Sequence, residues 1–302
     1  MLEAIIIFGT ISGLIYSLIA LGFTLVYGIS GMANLTHGVF FVVGAYLYGV
    51  FSSYLSGLIS PAFFYLIPVL AMLSSFVLTG IIGSVFYRVT LHQILGDEVG
   101  ILIASICGCI IFQQLIYIIM GMTAAFNFRI ELLIPGKITL INTDVLAGQS
   151  LAALISLLAF VILSLFISKT KTGKAMKALS QDLEAAMLVG ISTEKLYMFT
   201  TAISAGLASL AGVLYTSTIT QGVSSYMWML GLAISFTVVI LGGLGSIKGS
   251  LIGGLILGFT GTAAIKILPE AGVLQQSIPF IVIILVLIIR PKGLFGKRVE
   301  ME

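Results

Sequence analysis

The residues of this chain that could do chemistry are few. Its two histidines are His37 and His92, its two cysteines are Cys107 and Cys109, and its one short serine signature is Gly28-Ile29-Ser30-Gly31. A Gly-x-Ser-Gly tetrapeptide could carry a nucleophile inside a membrane, but that serine needs a histidine base from another helix. His37 follows too closely in the chain and His92 lies in a polar flank. Cys107 and Cys109 point in different directions on a helix and have no histidine beside them, which fits small apolar packing better than zinc. No His-Glu-x-x-His pair occurs. Thr172-Gly173-Lys174-Ala175 lacks both the hydroxyl residue after lysine and the upstream glycine of a nucleotide-binding loop. These residues predict no catalysis, no metal and no cofactor in this chain. If ATP drives its work, another chain hydrolyses it.

Two polar stretches remain. The first is Gly28–Gly38, where Asn34, Thr36, His37 and Gly38 sit near the interior of an apolar span. Polar groups in a bilayer need partners or a water-filled cavity. Two roles are open to this cluster: hydrogen bonding within a broken helix, or lining a transport path. His37 could carry a proton, but no Asp or Glu lies in the stretch to form a relay.

The second stretch runs from Lys169 to Lys195 and holds five of the 14 Lys+Arg and three of the 11 Asp+Glu. Ser180 can cap a short helix, with Asp182 and Glu184 in or near its positive first turn. Leu183, Ala186 and Met187 recur at helical spacing and form a small apolar face. Gly190 stands where a left-handed cap is wanted, and Ser192 and Glu194 can open the next helix. Such a segment is either a docking surface for a soluble partner or a loop whose lysines only fix topology.

The elements that carry these stretches follow from composition. The 302 residues are 59% hydrophobic and 8% charged, with mean hydropathy +1.22. Soluble domains carry about a quarter charged residues. The expected fold is all-α: a polytopic integral membrane helical bundle with glycine-broken helices, forming a single domain over 1–302. Apolar runs are read at Ala4–Tyr27, Val39–Tyr54, Ala62–Tyr87, Val99–Met120, Leu146–Ile167, Leu196–Ser217, Met227–Leu241, Leu251–Leu268 and Ile278–Ile289. This gives about nine passages of about 20 residues. Gly9, Gly13 and Gly22 can let the first helix pack closely. Gly242–Gly254 echoes Gly28–Gly38, either as a second broken helix or as tight packing. The pieces near Asn34 and Gly243 could be re-entrant.

Basic loops stay in the cytoplasm. Arg88, Lys169–Lys177, Lys248 and the tail Arg290–Arg298 then lie inside, and the N-terminus outside. The loop 168–195 is cytoplasmic and 121–147 extracytoplasmic. In the outer loop Phe126, Phe128, Ile130 and Leu132 alternate with Asn127, Arg129 and Glu131 before Pro135-Gly136 and Lys137–Leu140. That pattern predicts a small β-hairpin, either a landing surface for an external protein or a connector. The first apolar run has no basic residue before it and is read as a retained span. The basic residues flank spans, so the net charge of +3 does not indicate nucleic acid.

Three blocks of this sequence resemble a known family. Glu184-Ala185-Ala186, three residues and Gly190-Ile191 look like the EAA loop of ABC-importer permeases. Tyr27-Gly28-Ile29, Asn34–Gly38, Ala211–Leu214 and Leu241–Gly249 extend the resemblance to the LivH-type permeases of branched-chain amino-acid importers, in the correct order over most of the chain. The resemblance implies a permease subunit working by alternating access in the cell (inner or plasma) membrane of a prokaryote. It implies a homologous second permease, two cytosolic ATPase subunits and an extracytoplasmic substrate-binding protein as partners. It implies ATPase coupling through Asp182, Glu184, Ala185, Ala186 and Gly190, and proximity of Asn34, Thr36, His37 and Gly38 to the path. Related permeases handle urea, amides or sugars. A channel or secondary transporter is the rival class; it would need its own coupling groups, and membrane acids are scarce here.

Overall fold

The computed structural model describes residues 1–60, 64–127, 136–140, 143–216, 218, 222–267, 277–289 and 293–295. Its helices are α1 (Leu2–Ser30), α2 (His37–Leu58), α3 (Leu66–Val89), α4 (Glu98–Asn127), α5 (Ala147–Lys169), α6 (Lys171–Leu179), α7 (Leu183–Leu188), α8 (Thr193–Thr216), α9 (Trp228–Gly242), α10 (Ile247–Ile267) and α11 (Ile278–Ile289). Each apolar run read from the sequence has, among the described residues, a helix as its body. Among the described residues eight are long and apolar enough to cross a membrane. The ninth run is α11, with 12 residues. The bundle is that of a polytopic helical membrane protein. Ile103, Ile119, Leu158, Ile162 and Ile288 point outward, as side chains facing lipid do.

Helices α1 and α10 pack most closely, because small residues line both sides. A Cβ at Gly13 would lie 2.8 Å from Leu255 Cα, and one at Gly254 2.2 Å from Ser17 Oγ. Hydroxyls reinforce this seam. Ser17 Oγ donates to Gly13 O at 2.7 Å or Leu251 O at 3.0 Å, and Thr24 Oγ1 meets Ser250 Oγ at 2.6 Å. Without a hydrophobic drive between helices in lipid, such close contact and hydrogen bonding hold them together. Glycine packing is thus what Gly9, Gly13 and Gly242–Gly254 provide. The residues 243–246 form a tight turn between α9 and α10, with Gly243 at φ 98° and Gly245 at φ 78°, and no broken helix lies there.

The first polar stretch is a break in the helical path. Gly31 takes a left-handed conformation (φ 69°) and its N–H closes α1 on Tyr27 O at 2.9 Å. The chain then turns back into the bundle. His37, first residue of α2, lies against Ile19, about three turns or roughly 16 Å inside the end of α1 by the helical rise. A second helix also begins inside. Gly231, in the first turn of α9, packs on Phe41 and Ile19, and Gly38 packs on Trp228 O. The expected echo at Gly242–Gly254 is therefore not found; a helix start inside the bundle lies instead at 222–227, ahead of α9.

The hairpin exists with a different register. β1 (Lys137–Leu140) pairs antiparallel with β2 (Thr143–Leu146), Leu140 opposite Thr143. Phe126 and Asn127 belong to α4, and 128–135 lie outside the described residues. Gly136 precedes the first strand, and its carbonyl accepts from Ala147 N–H at 3.0 Å. The alternation misleads at Phe126 and Asn127, which satisfy their backbone groups in a helix that extends past the kink at Gly121 (φ 74°).

All basic anchors that are described share one end of the bundle. Gly28, near the end of α1, touches Gly245 beside Lys248. Leu294 and Phe295, within the basic tail, donate backbone N–H groups to Leu241 O (2.8 Å) and Gly242 O (3.0 Å) at the end of α9. The polar segment and the end of α3 carrying Arg88 pack around Met32, just past α1. Met1 lies at the far end of α1. The charged tail residues 290–292 and 297–298 lie outside the described residues.

Candidate functional site

The long polar segment folds into two short helices. Thr170 starts α6 by accepting from Gly173 N–H at 3.0 Å. Gly173, Met176 and Leu179 turn inward at three-residue spacing, while Lys171, Lys174 and Lys177 face out. The run read as a basic flank is thus an amphipathic helix of its own. Ser180 closes that helix, donating Oγ–H to Lys177 O at 2.9 Å. It does not cap α7. Asp182 does: its backbone is extended, and its Oδ1 accepts from Ala185 N–H at 2.9 Å. Ser180 has helical φ and ψ, so its hydroxyl cannot reach the next turn.

Helix α7 is one and a half turns locked at both ends. Gly190, at φ 84°, donates to Met187 O (2.9 Å), and Ile191 N–H donates to Ala186 O (3.1 Å). This double closure is the Schellman arrangement expected for a left-handed glycine. Only Ala186 is buried, 3% exposed; Leu188 is 88% exposed and Leu183, Met187 and Val189 also face out. Glu184 and Ala185 are exposed in the first turn. A six-residue helix would not persist alone. It stands because it is seated on an apolar cluster of Met32, Tyr87, Leu91, Ile101, Met176, Leu179, Ala186, Leu196 and Tyr197, drawn from the break after α1, from α3 and the turn after it, and from α4, α6, α7 and α8. The result is a seated knob whose outward apolar side chains have no cover among the described residues.

The second candidate lies inside the bundle. Asn34 is buried; its Oδ1 accepts from Thr36 N–H at 3.1 Å and its carbonyl from His37 N–H at 3.3 Å. Thr36 Oγ1 donates to Ser105 O on α4 at 3.3 Å. His37, 2% exposed, spans three helices: Nε2 meets Ile19 O at 2.8 Å and Nδ1 meets Ser204 Oγ on α8 at 3.0 Å. A carbonyl can only accept, so Nε2 carries the proton and Nδ1 accepts from Ser204. Gly22 makes room, since a Cβ there would lie 2.6 Å from His37 Cε1. Gly38 does the same against Trp228 O and Leu232 Cβ, each 2.7 Å from a Cβ placed on it. The four residues named from the sequence are brought together, and each is tied into the fold. Ser30 Oγ donates to Val26 O at 2.8 Å and His37 is committed elsewhere, so no nucleophile–base pair forms.

Sequence reasoning missed the polar groups at the start of α9. Ser225 is 1% exposed and its Oγ has no hydrogen-bond partner among the described residues. Trp228 Nε1 donates to Gln113 Oε1 on α4, and Tyr46 Oη donates to Val223 O at 3.1 Å. Paired glutamines within an apolar span, Gln113-Gln114, were the available signal.

Comparison with known proteins bears on both regions. A family model described as branched-chain amino acid transport system / permease component matches residues 5–287. The high-affinity branched-chain amino acid transport system permease protein LivH of Salmonella typhimurium is 29% identical over 301 residues, covering 97% of this chain and 95% of that protein. BraD of Pseudomonas aeruginosa, named for the same kind of permease, is 32% identical over 304 residues, again covering 97% of this chain and 95% of its own.

Proposed function

The chain belongs to the family of branched-chain amino acid transport system permease components, and from that premise we propose that it is the permease subunit of an ATP-driven importer of branched-chain amino acids. The relatives are transport permeases rather than enzymes. In this reading the chain moves substrate by alternating access. It uses no cofactor itself: ATP is bound by two cytosolic ATPase subunits, an extracytoplasmic binding protein delivers substrate, and a homologous permease completes the membrane part. The basic end of the bundle faces the cytoplasm and the N-terminus faces out in a prokaryotic cell membrane, an orientation supported by the clustering of basic residues at one end.

One observation carries the reading. Helix α7 presents Leu183, Met187, Leu188 and Val189 outward from a capped, rigid seat at the basic end. A loop serving only topology has no need of a locked helix with its apolar side chains in water. Asp182 and Gly190 fix the helix, Ala186 fastens it to the bundle, and Ala185 and Glu184 lie on the docking surface. ATPase movement would then reach the membrane helices through the cluster around Ala186 and Met32.

Co-purification in mild detergent and leucine uptake in the same cells test this. Glu184→Lys reverses charge at the surface, and Gly190→Val forces a β-branched residue into positive φ. Both should weaken ATPase recovery and abolish uptake while membrane insertion persists. Full recovery and full uptake with both variants would reduce the segment to a topology-setting loop.

A further inference from the structure

The consecutive glutamines of α4 have opposite fates. Gln113 turns inward and accepts from Trp228. Gln114 is exposed, with no hydrogen bond among the described residues. It lies in the apolar span Glu98–Gly121, two turns or roughly 10 Å inside the end at Gly121 by the helical rise. A glutamine side chain is too short to lift its amide from that depth to the headgroups, and lipid offers it neither donor nor acceptor. An exposed carboxamide there needs protein on its other side.

The surroundings show what kind of protein. Ile103, Cys107, Ile110, Gln114 and Ile118 are all exposed and recur at spacings of three and four. They form one apolar seam with a single polar position, the pattern by which packed helices fix register. The seam lies along the bilayer, so its partner is another membrane helix. A carboxamide both donates and accepts, so a facing carboxamide or hydroxyl satisfies it.

We propose that the seam of α4 around Gln114 is where the second permease subunit packs, through a membrane helix presenting a hydrogen-bonding side chain at the depth of Gln114. This rests on the reading of the chain as one of two homologous permeases. A two-fold axis along the bilayer normal would bring residues of equal depth together, as the pairing requires.

The test uses the intact transporter with a photo-crosslinking amino acid placed at 114, and in parallel at Ile162, an exposed residue of α5. Crosslinked peptides are identified by mass spectrometry, and leucine uptake by the wild-type complex is measured alongside. The expected product joins position 114, not 162, to a membrane helix of a permease of this family. Gln114→Leu should lower recovery of that permease roughly three- to ten-fold, and Gln114→Asn should restore part of it. Products at 114 confined to lipid, or to the ATPase or binding protein, overturn the proposal, as does undiminished recovery with Gln114→Leu. Absence of wild-type leucine uptake with the crosslink present would instead count against the amino-acid reading and leave the interface standing.

Discussion

Ala186 of α7 and Met32 of the break after α1 are buried in one apolar cluster, although they come from opposite halves of the sequence. Two residues beyond Met32 the chain reaches Asn34, and three beyond that His37. A displacement of α7 therefore bears on a cluster that Met32 shares with Tyr87 of α3, Ile101 of α4 and Leu196 of α8. Close-packed apolar contacts transmit such movement because the interior has little compressibility.

Met32→Ala is the matching test. It thins the shared cluster without touching the outer face of α7, at an expected loss of about 2 kcal/mol or more for a buried methionine. ATPase subunits should co-purify at the wild-type level, while leucine taken up per ATP hydrolysed falls. An unchanged ratio would show that the movement takes another route.

Leu188 and Ala186 separate docking from seating. Leu188→Asp places a charge on a side chain already in water, so stability should change by less than about 0.5 kcal/mol, as for ordinary surface positions. ATPase recovery should nevertheless drop severalfold. Ala186→Asp buries a charge in an apolar cluster and should lower the melting temperature as well. Equal loss of stability in both variants would argue against the division.

Gly254 tests the α1–α10 seam. A Cβ there would fall 2.2 Å from Ser17 Oγ and 2.5 Å from Ser17 N. Gly254→Leu should destabilise by about 3 kcal/mol, at the upper range for overpacking, and reduce folded protein in the membrane. Gly57→Ala is the contrasting variant, because a Cβ at Gly57 meets nothing within 4 Å. It should be neutral or slightly stabilising. Normal thermal stability of Gly254→Leu would mean the helices can separate freely.

Orientation is checked by cysteine labelling at positions 3 and 300 in a background lacking Cys107 and Cys109. An impermeant reagent added to intact cells should label position 3 and leave position 300 unmodified. Labelling of position 300 from outside would reverse the assignment.

How much of this was legible in the sequence depends on the kind of signal. Span length and glycine spacing are local properties fixed by the bilayer and by van der Waals contact, so the helices, the α1 seam and the Gly190 cap could be read directly. Ser180 and Asp182 are both good cap residues two positions apart; which one caps depends on where α6 ends, and that is set by burial of Leu179. The hairpin was mis-registered because alternation over a few residues also fits the end of a helix. The internal start of α9 left no glycine-rich signature, since its depth comes from packing on Ile19 and Phe41. Gln113 and Gln114 look alike in sequence, and only the rotation of α4 sends one inward and the other out.

His37 offers the sharpest separation of structural and transport roles. Its ring joins α2 to α1 and α8 through Ile19 O and Ser204 Oγ. His37→Leu fills similar space and removes both hydrogen bonds, at an expected cost of about 1–3 kcal/mol. Ser204→Ala removes one of them, and the double variant should cost less than the sum of the two, because the partners interact directly. If the segment 34–38 only braces the bundle, leucine uptake per folded molecule should be unchanged in all three variants, with stability alone reduced. We expect more than that: the break is the one polar stretch joining α1 to a helix that starts inside the bundle, and polar groups at that depth mark transport paths. His37→Leu and Asn34→Leu should therefore lower uptake per folded molecule at least several-fold, with ATPase subunits still bound. Uptake that tracks folded protein one-for-one would assign Asn34, Thr36, His37 and Gly38 to the scaffold and leave the path to other residues.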